Sequence, residues 1–286
     1  MRKLILDTDI GSDVDDALAL ALILGSEQIN LLGITTVYGD TSLRAKIAMH
    51  LCKLVHRPIP TFPGATEALS GRKTWISGNE GKGFSNLDSF HVSSTNAKDF
   101  MIEAINHLPN QVDILAIGPL TNIALAISKS PNFAKHIKHL WIMGGDFTQV
   151  KVEHNFKCDV SAAKIVLESD IPISILDLPS SQKTILTLVE IERIKCAGAL
   201  GPILYSEILS WIQPRDQDWT TPHDPIAALS LIDPELFDVT SKGRVRIDDE
   251  GKSFWTQDPQ GNVNLISPNQ PLEAVNRMIG YIENLK

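Results

Sequence analysis

Short apolar runs alternate with helix-period segments along most of this chain, and that alternation constrains the fold more than any other feature. Candidate strands run over Lys3–Leu6, Leu31–Val37, Val112–Ile117, His139–Met143 and Ile171–Leu176. Each is a nearly continuous apolar stretch, the pattern of a strand covered on both faces, so the sheet they build is mainly parallel with helices on each side. Apolar residues recur at helical spacing over Asp15–Leu24, Leu43–Val55, Ala97–Leu108, Thr121–Ser128, Ser161–Glu168, Val189–Cys196, Ile203–Trp211, Pro225–Ile232 and Leu272–Leu285. The fold class is therefore α/β, a single-domain open, mostly parallel sheet flanked by helices over residues 1–286. Gly243–Leu265 carries two alternating runs around Asp248-Asp249-Glu250-Gly251 and reads as a hairpin near the domain edge. Gly64–Ser94, rich in Gly, Ser and Asn, fits no element and reads as a functional lid or mobile segment.

The composition, 43% hydrophobic and 21% charged, is that of a folded globular chain and excludes disorder. Its longest apolar run, Ala17–Leu24, falls far short of the ~20 residues a bilayer requires. Leu4-Ile5-Leu6 follows Arg2 and Lys3 but is stopped by Asp7, so no signal region is expected and a cytoplasmic location is. A net charge of −8 argues against nucleic acid or an anionic membrane as partner. Cys52, Cys158 and Cys196 form no C-x-x-C pair and read as buried free thiols.

The strongest local feature is Asp7-Thr8-Asp9-Ile10-Gly11-Ser12-Asp13-Val14-Asp15-Asp16, with five aspartates in ten residues at the end of the first strand. Period-2 geometry would aim Asp7 and Asp9 together into the crevice where open α/β sheets bind ligands. Asp15 and Asp16 open the next helix, where acidic residues complement the macrodipole. Capping accounts for one or two of them, not for carboxylates on both sides of a glycine turn. Like charges packed so closely raise one another's pKa unless a cation sits among them, and oxygen donors suit Ca²⁺ or Mg²⁺. A second feature, Thr221-Pro222-His223-Asp224-Pro225, sets an imidazole beside another carboxylate at a helix start. Gly118-Pro119-Leu120-Thr121-Asn122 and Met143-Gly144-Gly145-Asp146, the latter followed by Glu153-His154-Asn155-Phe156, are polar turns after two further strands.

Taken in order, these blocks, with Thr35-Thr36-Val37-Tyr38-Gly39-Asp40, resemble the inosine-uridine nucleoside hydrolase family along nearly the whole chain. The resemblance implies a Rossmann-like nucleoside hydrolase fold and Ca²⁺-dependent hydrolysis of ribonucleosides to free base and ribose, as used in purine and pyrimidine salvage. It implies Ca²⁺ ligation by Asp9, Asp16, Asp224 and the carbonyl of Ile117, with Asp9 as the base that deprotonates the metal-activated water. It implies an oxocarbenium-like transition state, with His223 as the acid that protonates the leaving base. Asp15, Glu153, Asn155 and Asp224 resemble the ribose-binding residues, and Asp7 the aspartate that supports the ligands from behind. Asp40 stands where many members carry Asn, and Asn79 where His is frequent; both are expected at the substrate. Trp75, Phe84, Trp211 and Trp219 are the aromatics available to stack on a base. Members of this family assemble as homodimers or homotetramers, which is the expectation here.

Two other readings compete. A Mg²⁺-dependent phosphohydrolase of the haloacid dehalogenase type also starts with a strand ending in Asp-x-Asp, but leaves His223-Asp224 without a role. A non-catalytic ribonucleoside-binding protein would need neither Asp9 nor His223.

Overall fold

Leu4, Ile5 and Leu6 are fully buried in the first strand, β1 (Arg2–Thr8), with Leu4 and Leu6 in one apolar cluster and Ile5 in another. Successive side chains of a strand point to opposite faces, so an unbroken apolar run is what a strand with a core on each side requires. The computed structural model describes residues 1–286 apart from Ile76, Asn79, Gln149 and Lys286.

The remaining strands are β2 (Ile29–Thr36), β3 (Thr61–Pro63), β4 (Val112–Ala116), β5 (His139–Met143), β6 (Ile173–Leu176), β7 (Leu186–Thr187), β8 (Trp219–Thr220), β9 (Phe237–Val239), β10 (Gly243–Ile247), β11 (Ser253–Gln257) and β12 (Val263–Pro268). Among the described residues they form a ten-stranded sheet in the order β11, β10, β12, β6, β5, β4, β1, β2, β3, with β9 paired to β12. The run from β12 to β3 is parallel throughout, while β9, β10 and β11 pair antiparallel. Strands β7 and β8 form a separate antiparallel pair.

The helices are α1 (Asp15–Gly25), α2 (Thr41–Leu54), α3 (Ala97–His107), α4 (Thr121–Lys129), α5 (Phe133–His136), α6 (His154–Cys158), α7 (Val160–Leu167), α8 (Leu178–Ser181), α9 (Leu188–Lys195), α10 (Gly201–Ile212), α11 (His223–Ile232) and α12 (Pro271–Glu283). One face of the sheet is covered by α1, α2 and α9 to α12, the other by α3, α4, α5 and α7. Every residue of α1 is buried, which explains why Ala17–Leu24 lacks a polar face. Among the described residues, no helix is long and apolar enough to cross a membrane.

The α/β class, the mostly parallel sheet and its flanking helices are those expected from the sequence. Three local readings are corrected. The expected strand from Ile171 begins at Ile173, because Pro172 has no N–H to donate and serves only as an acceptor for Leu140. The Gly243–Leu265 hairpin exists as β10 and β11, but Leu265 belongs to β12, which inserts into the main sheet parallel to β6 with Leu265 opposite Ile175. Cys52 and Cys158 are buried as expected, whereas Cys196, at the exposed end of α9, is not.

Candidate active site

The chain leaves β1 for β2 and β3 on one side and returns to β4 on the other, so the strand order reverses between β1 and β4. A crevice opens outside the carboxyl ends of strands at such a point. A cavity of about 830 Å³ lies there, reached by Asp9, Asp13, Asp15 and Asp16 from the segment after β1 and by Ile117 from the end of β4. Glu153 and Asn155 contribute from the start of α6, and His223 and Asp224 from the first turn of α11. Elements far apart in sequence thus deliver their polar residues to one wall.

Asp7 does not join them. It is fully buried, accepting from Thr35 Oγ1 at 2.7 Å and Asn122 Nδ2 at 2.8 Å, and it does not line the cavity. The expectation that Asp7 and Asp9 point the same way fails because β1 ends at Thr8, after which strand alternation no longer governs direction. Burial pushes the Asp7 carboxyl up to about 7, against the lowering effect of its two hydrogen bonds. Among the described residues, one of its oxygens, Oδ2, has no hydrogen-bond partner.

The loop carrying the acidic motif is shaped by a residue the sequence reading did not single out. Arg44 is buried in α2 and donates to the carbonyls of Tyr38 at 2.7 Å and Ile10 at 2.9 Å, to the carbonyl of Asp9, and to Ser12 Oγ at 3.0 Å. The signal was available: Arg44 falls among Thr41, Ala45 and Ala48 on the buried stripe of its helix, where an unpaired charge is costly. Gly118 makes room for Asp9, since a Cβ there would sit 2.7 Å from Asp9 Oδ1.

Asp9, Asp15, Asp16 and Asp224 are all buried. Desolvation raises each carboxyl above its ordinary value, and neighbouring carboxylates add to the effect. Arg44 pulls Asp9 and Asp16 back down, and Thr8 Oγ1 donates to Asp16. The backbone N–H of Asp224 meets Asp15 Oδ2 at 3.4 Å, joining the first turns of α11 and α1. Oxygens of Asp13, Asp15 and Asp16 lie within 4.8 Å of one another. Buried carboxylates crowded this way fit a hard divalent cation, which relieves both their repulsion and their desolvation, and an all-oxygen donor set suits Ca²⁺. Asp13 was part of the motif but had been given no role.

On the ribose-expected side, Glu153 caps α6, accepting from Asn155 N–H at 2.7 Å, Phe156 N–H at 3.0 Å and Gly145 N–H at 2.9 Å. The Asn155 amide donates to the carbonyls of Ile117 and Met143, both at 3.1 Å, and so bridges the ends of β4 and β5. Asp40 is not brought to the cavity: it is exposed and caps α2 by accepting from Leu43 N–H at 2.9 Å. Asn79 lies outside the described residues.

His223 is partly buried on the cavity wall, with Nδ1 2.7 Å from Ser181 Oγ. Burial pushes the imidazole down to about 4, opposed by Asp13. Of the aromatic candidates, Trp75, Trp211 and Trp219 line the cavity, whereas Phe84 packs edge-on against His50. Trp75 is held there by its backbone N–H, which donates to Tyr38 Oη at 2.8 Å, and its ring meets His154 edge-on. His154 and Tyr38, which belong to two of the motif blocks but carry no individual role in the sequence analysis, also line the cavity.

Comparison with known proteins adds a lineage to this geometry. The family model for inosine-uridine preferring nucleoside hydrolase matches residues 4–270. Uridine nucleosidase 1 of Arabidopsis thaliana is 30% identical over 273 residues, covering 87% of this chain and 79% of that protein. The pyrimidine-specific ribonucleoside hydrolase RihA of Shewanella sp. (strain MR-4) is 33% identical over 258 residues, covering 83% and 80%. Among solved structures, the plant nucleoside hydrolase PpNRh1 superposes with a TM-score of 0.89 at 25% identity, covering 99% of both chains.

Proposed function

This chain belongs to the inosine-uridine preferring nucleoside hydrolase family, and from that premise we infer which of its residues carry the reaction. The protein is an enzyme that hydrolyses the N-glycosidic bond of ribonucleosides, and its cofactor is Ca²⁺. Membership removes the phosphohydrolase alternative. The observation that carries the site assignment is the convergence of buried Asp9, Asp15, Asp16 and Asp224 on one cavity wall with His223 on the same cavity.

In this reading Asp9, Asp16, Asp224 and the Ile117 carbonyl hold the ion, with Asp13 and Asp15 close enough to share in it. When bound, Ca²⁺ supplies the charge that gathers ribose hydroxyls and makes a water more acidic. Asp9 takes one proton from the attacking water, whose oxygen bonds to the anomeric carbon as the C–N bond breaks. The bonding pair leaves with the base, and the ribosyl group passes through an oxocarbenium-like transition state that the surrounding carboxylates favour. His223 takes a proton from solvent, as negative charge gathering on the departing base raises the imidazole's proton affinity from its depressed value, and passes that proton to the base. Asp15, Asn155 and Glu153 hold the ribose. Glu153 does so with its carboxylate already fixed by three backbone N–H groups, so it is pre-positioned at little cost in entropy. Asp7 supports the wall through Asn122 and Thr35 without touching substrate.

Residues 1–286 act as one domain in this proposal, in the cytoplasm and as a homodimer or homotetramer. Exposed Ile185, Leu188 and Val189 beside Trp219 offer apolar surface of the kind an assembly contact uses. The uridine and pyrimidine specificities in the names of the relatives put uridine first among the substrates to try. Free reducing sugar released from uridine, inosine, cytidine, adenosine and guanosine by the Ca²⁺-loaded protein tests the reading, and release from none of them would overturn it.

Gly118→Ala gives an independent check on Asp9. The added methyl would also come 3.0 Å from the Asp9 backbone nitrogen, so the backbone itself has to shift. A displacement near 1 Å costs on the order of 10²-fold in rate, and that loss in kcat/KM is expected with thermal stability changed far less.

A further inference from the structure

Ser181 ends α8, the single turn that follows β6, and its side chain is fully buried. Its hydroxyl donates to the carbonyl of Leu178 at 2.9 Å and lies 2.7 Å from His223 Nδ1. A hydroxyl has one proton to give. With that proton on Leu178, Ser181 Oγ meets His223 as an acceptor, so Nδ1 carries the hydrogen and Nε2 is the nitrogen left free.

The turn that presents this acceptor is fastened on several sides. Asp177 Oδ1 accepts from Ser180 N–H at 3.0 Å, and Thr184 Oγ1 donates to the Ser181 carbonyl at 2.7 Å. Leu178 N–H donates to Gly145 O at 2.9 Å, and Gly145 N–H in turn donates to Glu153. Position and tautomer of the imidazole are therefore tied to the same framework that fixes the ribose side of the cavity.

We propose that Ser181 is a positioning residue for His223, an acceptor that holds the ring as the Nδ1–H tautomer and leaves Nε2 to pass a proton to the leaving base. The proposal rests on the reading of His223 as the acid. In the step concerned, Nε2 of the Nδ1–H ring first takes up a proton from solvent, giving the imidazolium; the base then departs with the C–N bonding pair and takes that proton, and the neutral ring is left with Nδ1–H on Ser181. Without the acceptor the ring can rotate or exchange tautomers, and only substrates that need the proton should notice.

The test compares wild type, Ser181→Ala, Ser181→Cys and His223→Ala, all Ca²⁺-loaded, on uridine, inosine and p-nitrophenyl β-D-riboside. Nitrophenolate leaves without protonation, so it separates proton delivery from everything else the cavity does. Ser181→Cys nearly keeps the side-chain volume and guards against a folding defect in the alanine variant. The expected result is a kcat loss of about 10-fold or more on the nucleosides, a part of the ~10²–10⁴-fold a positioned acid contributes, with KM and nitrophenyl riboside turnover within about twofold of wild type. His223→Ala should show the same selectivity with a larger loss. Equal losses on all three substrates in both Ser181 variants would make the residue structural and end the proposal. Unchanged Ser181 variants beside a selective His223→Ala would end it while sparing His223 as the acid. An unselective His223→Ala would overturn the acid assignment and the proposal with it.

Discussion

Asp9→Asn is expected to lower kcat at saturating Ca²⁺ by at least ~10³-fold while the protein stays folded. The residue is proposed both to hold the ion and to take the proton of water, and a general base alone contributes about 10²–10⁴-fold. Stability should not suffer in the metal-free protein. Desolvation, with a further contribution from Asp13, raises the Asp9 carboxyl, so a neutral amide of similar shape relieves the cost of burying its charge. Steady-state kinetics, bound-metal analysis and thermal unfolding on one preparation decide the matter. Wild-type turnover in this variant would remove Asp9 as the base.

Chelation should silence the enzyme, and returning Ca²⁺ should restore it, with a stability change whose pH dependence has a definite sign. Asp7 is raised from 3.8 to about 7, and Asp9, Asp15, Asp16 and Asp224 are shifted in the same direction. A carboxyl whose folded pKa exceeds its unfolded value binds its proton more tightly in the folded state. Its contribution is fully present below the unfolded value and is lost as pH rises through the folded one, here from about 4 to about 7 for Asp7. The metal-free protein should therefore lose thermal stability between about pH 5 and pH 8. Ca²⁺ favours the ionised carboxylates, so the rise in Tm it produces should be larger at pH 8 than at pH 5. At an ion concentration of ~100 times Kd the stabilisation is about 2.7 kcal/mol. Equal Tm gains at both pH values, or sugar release that persists in chelator, would contradict a carboxylate-held catalytic ion.

Much of this was legible in the sequence because the information is local. His139–Met143 is a strand of the observed length, and the first acidic helix begins at Asp15 as expected. Both are announced by an uninterrupted apolar pattern beside a polar boundary. The acidic motif was legible as a metal site for a similar reason, since carboxylates crowded within ten residues raise one another's pKa unless a cation sits among them. Residues whose role depends on a partner far along the chain were read less well. Asp7 and Asp9 look alike in sequence, yet one is bonded to Thr35 and Asn122 behind the wall and the other lines the cavity. Asp40 looked like a substrate residue and caps a helix instead.

The sequence by itself determined the α/β class, the parallel character of the sheet and the chemistry of the motif, because hydrophobic period and charge density act within a few residues. Only the tertiary structure decided that strand order reverses between β1 and β4, so that Asp9, Ile117, Asn155 and Asp224 share one cavity. It alone placed Val263–Pro268 beside β6, turned Arg44 onto the carbonyls of the acidic loop, and set Ser181 against His223. The physical reason is common to all of these. A hydrogen bond or a buried charge is resolved by whichever group the fold brings within about 3 Å, and sequence separation carries no record of that distance.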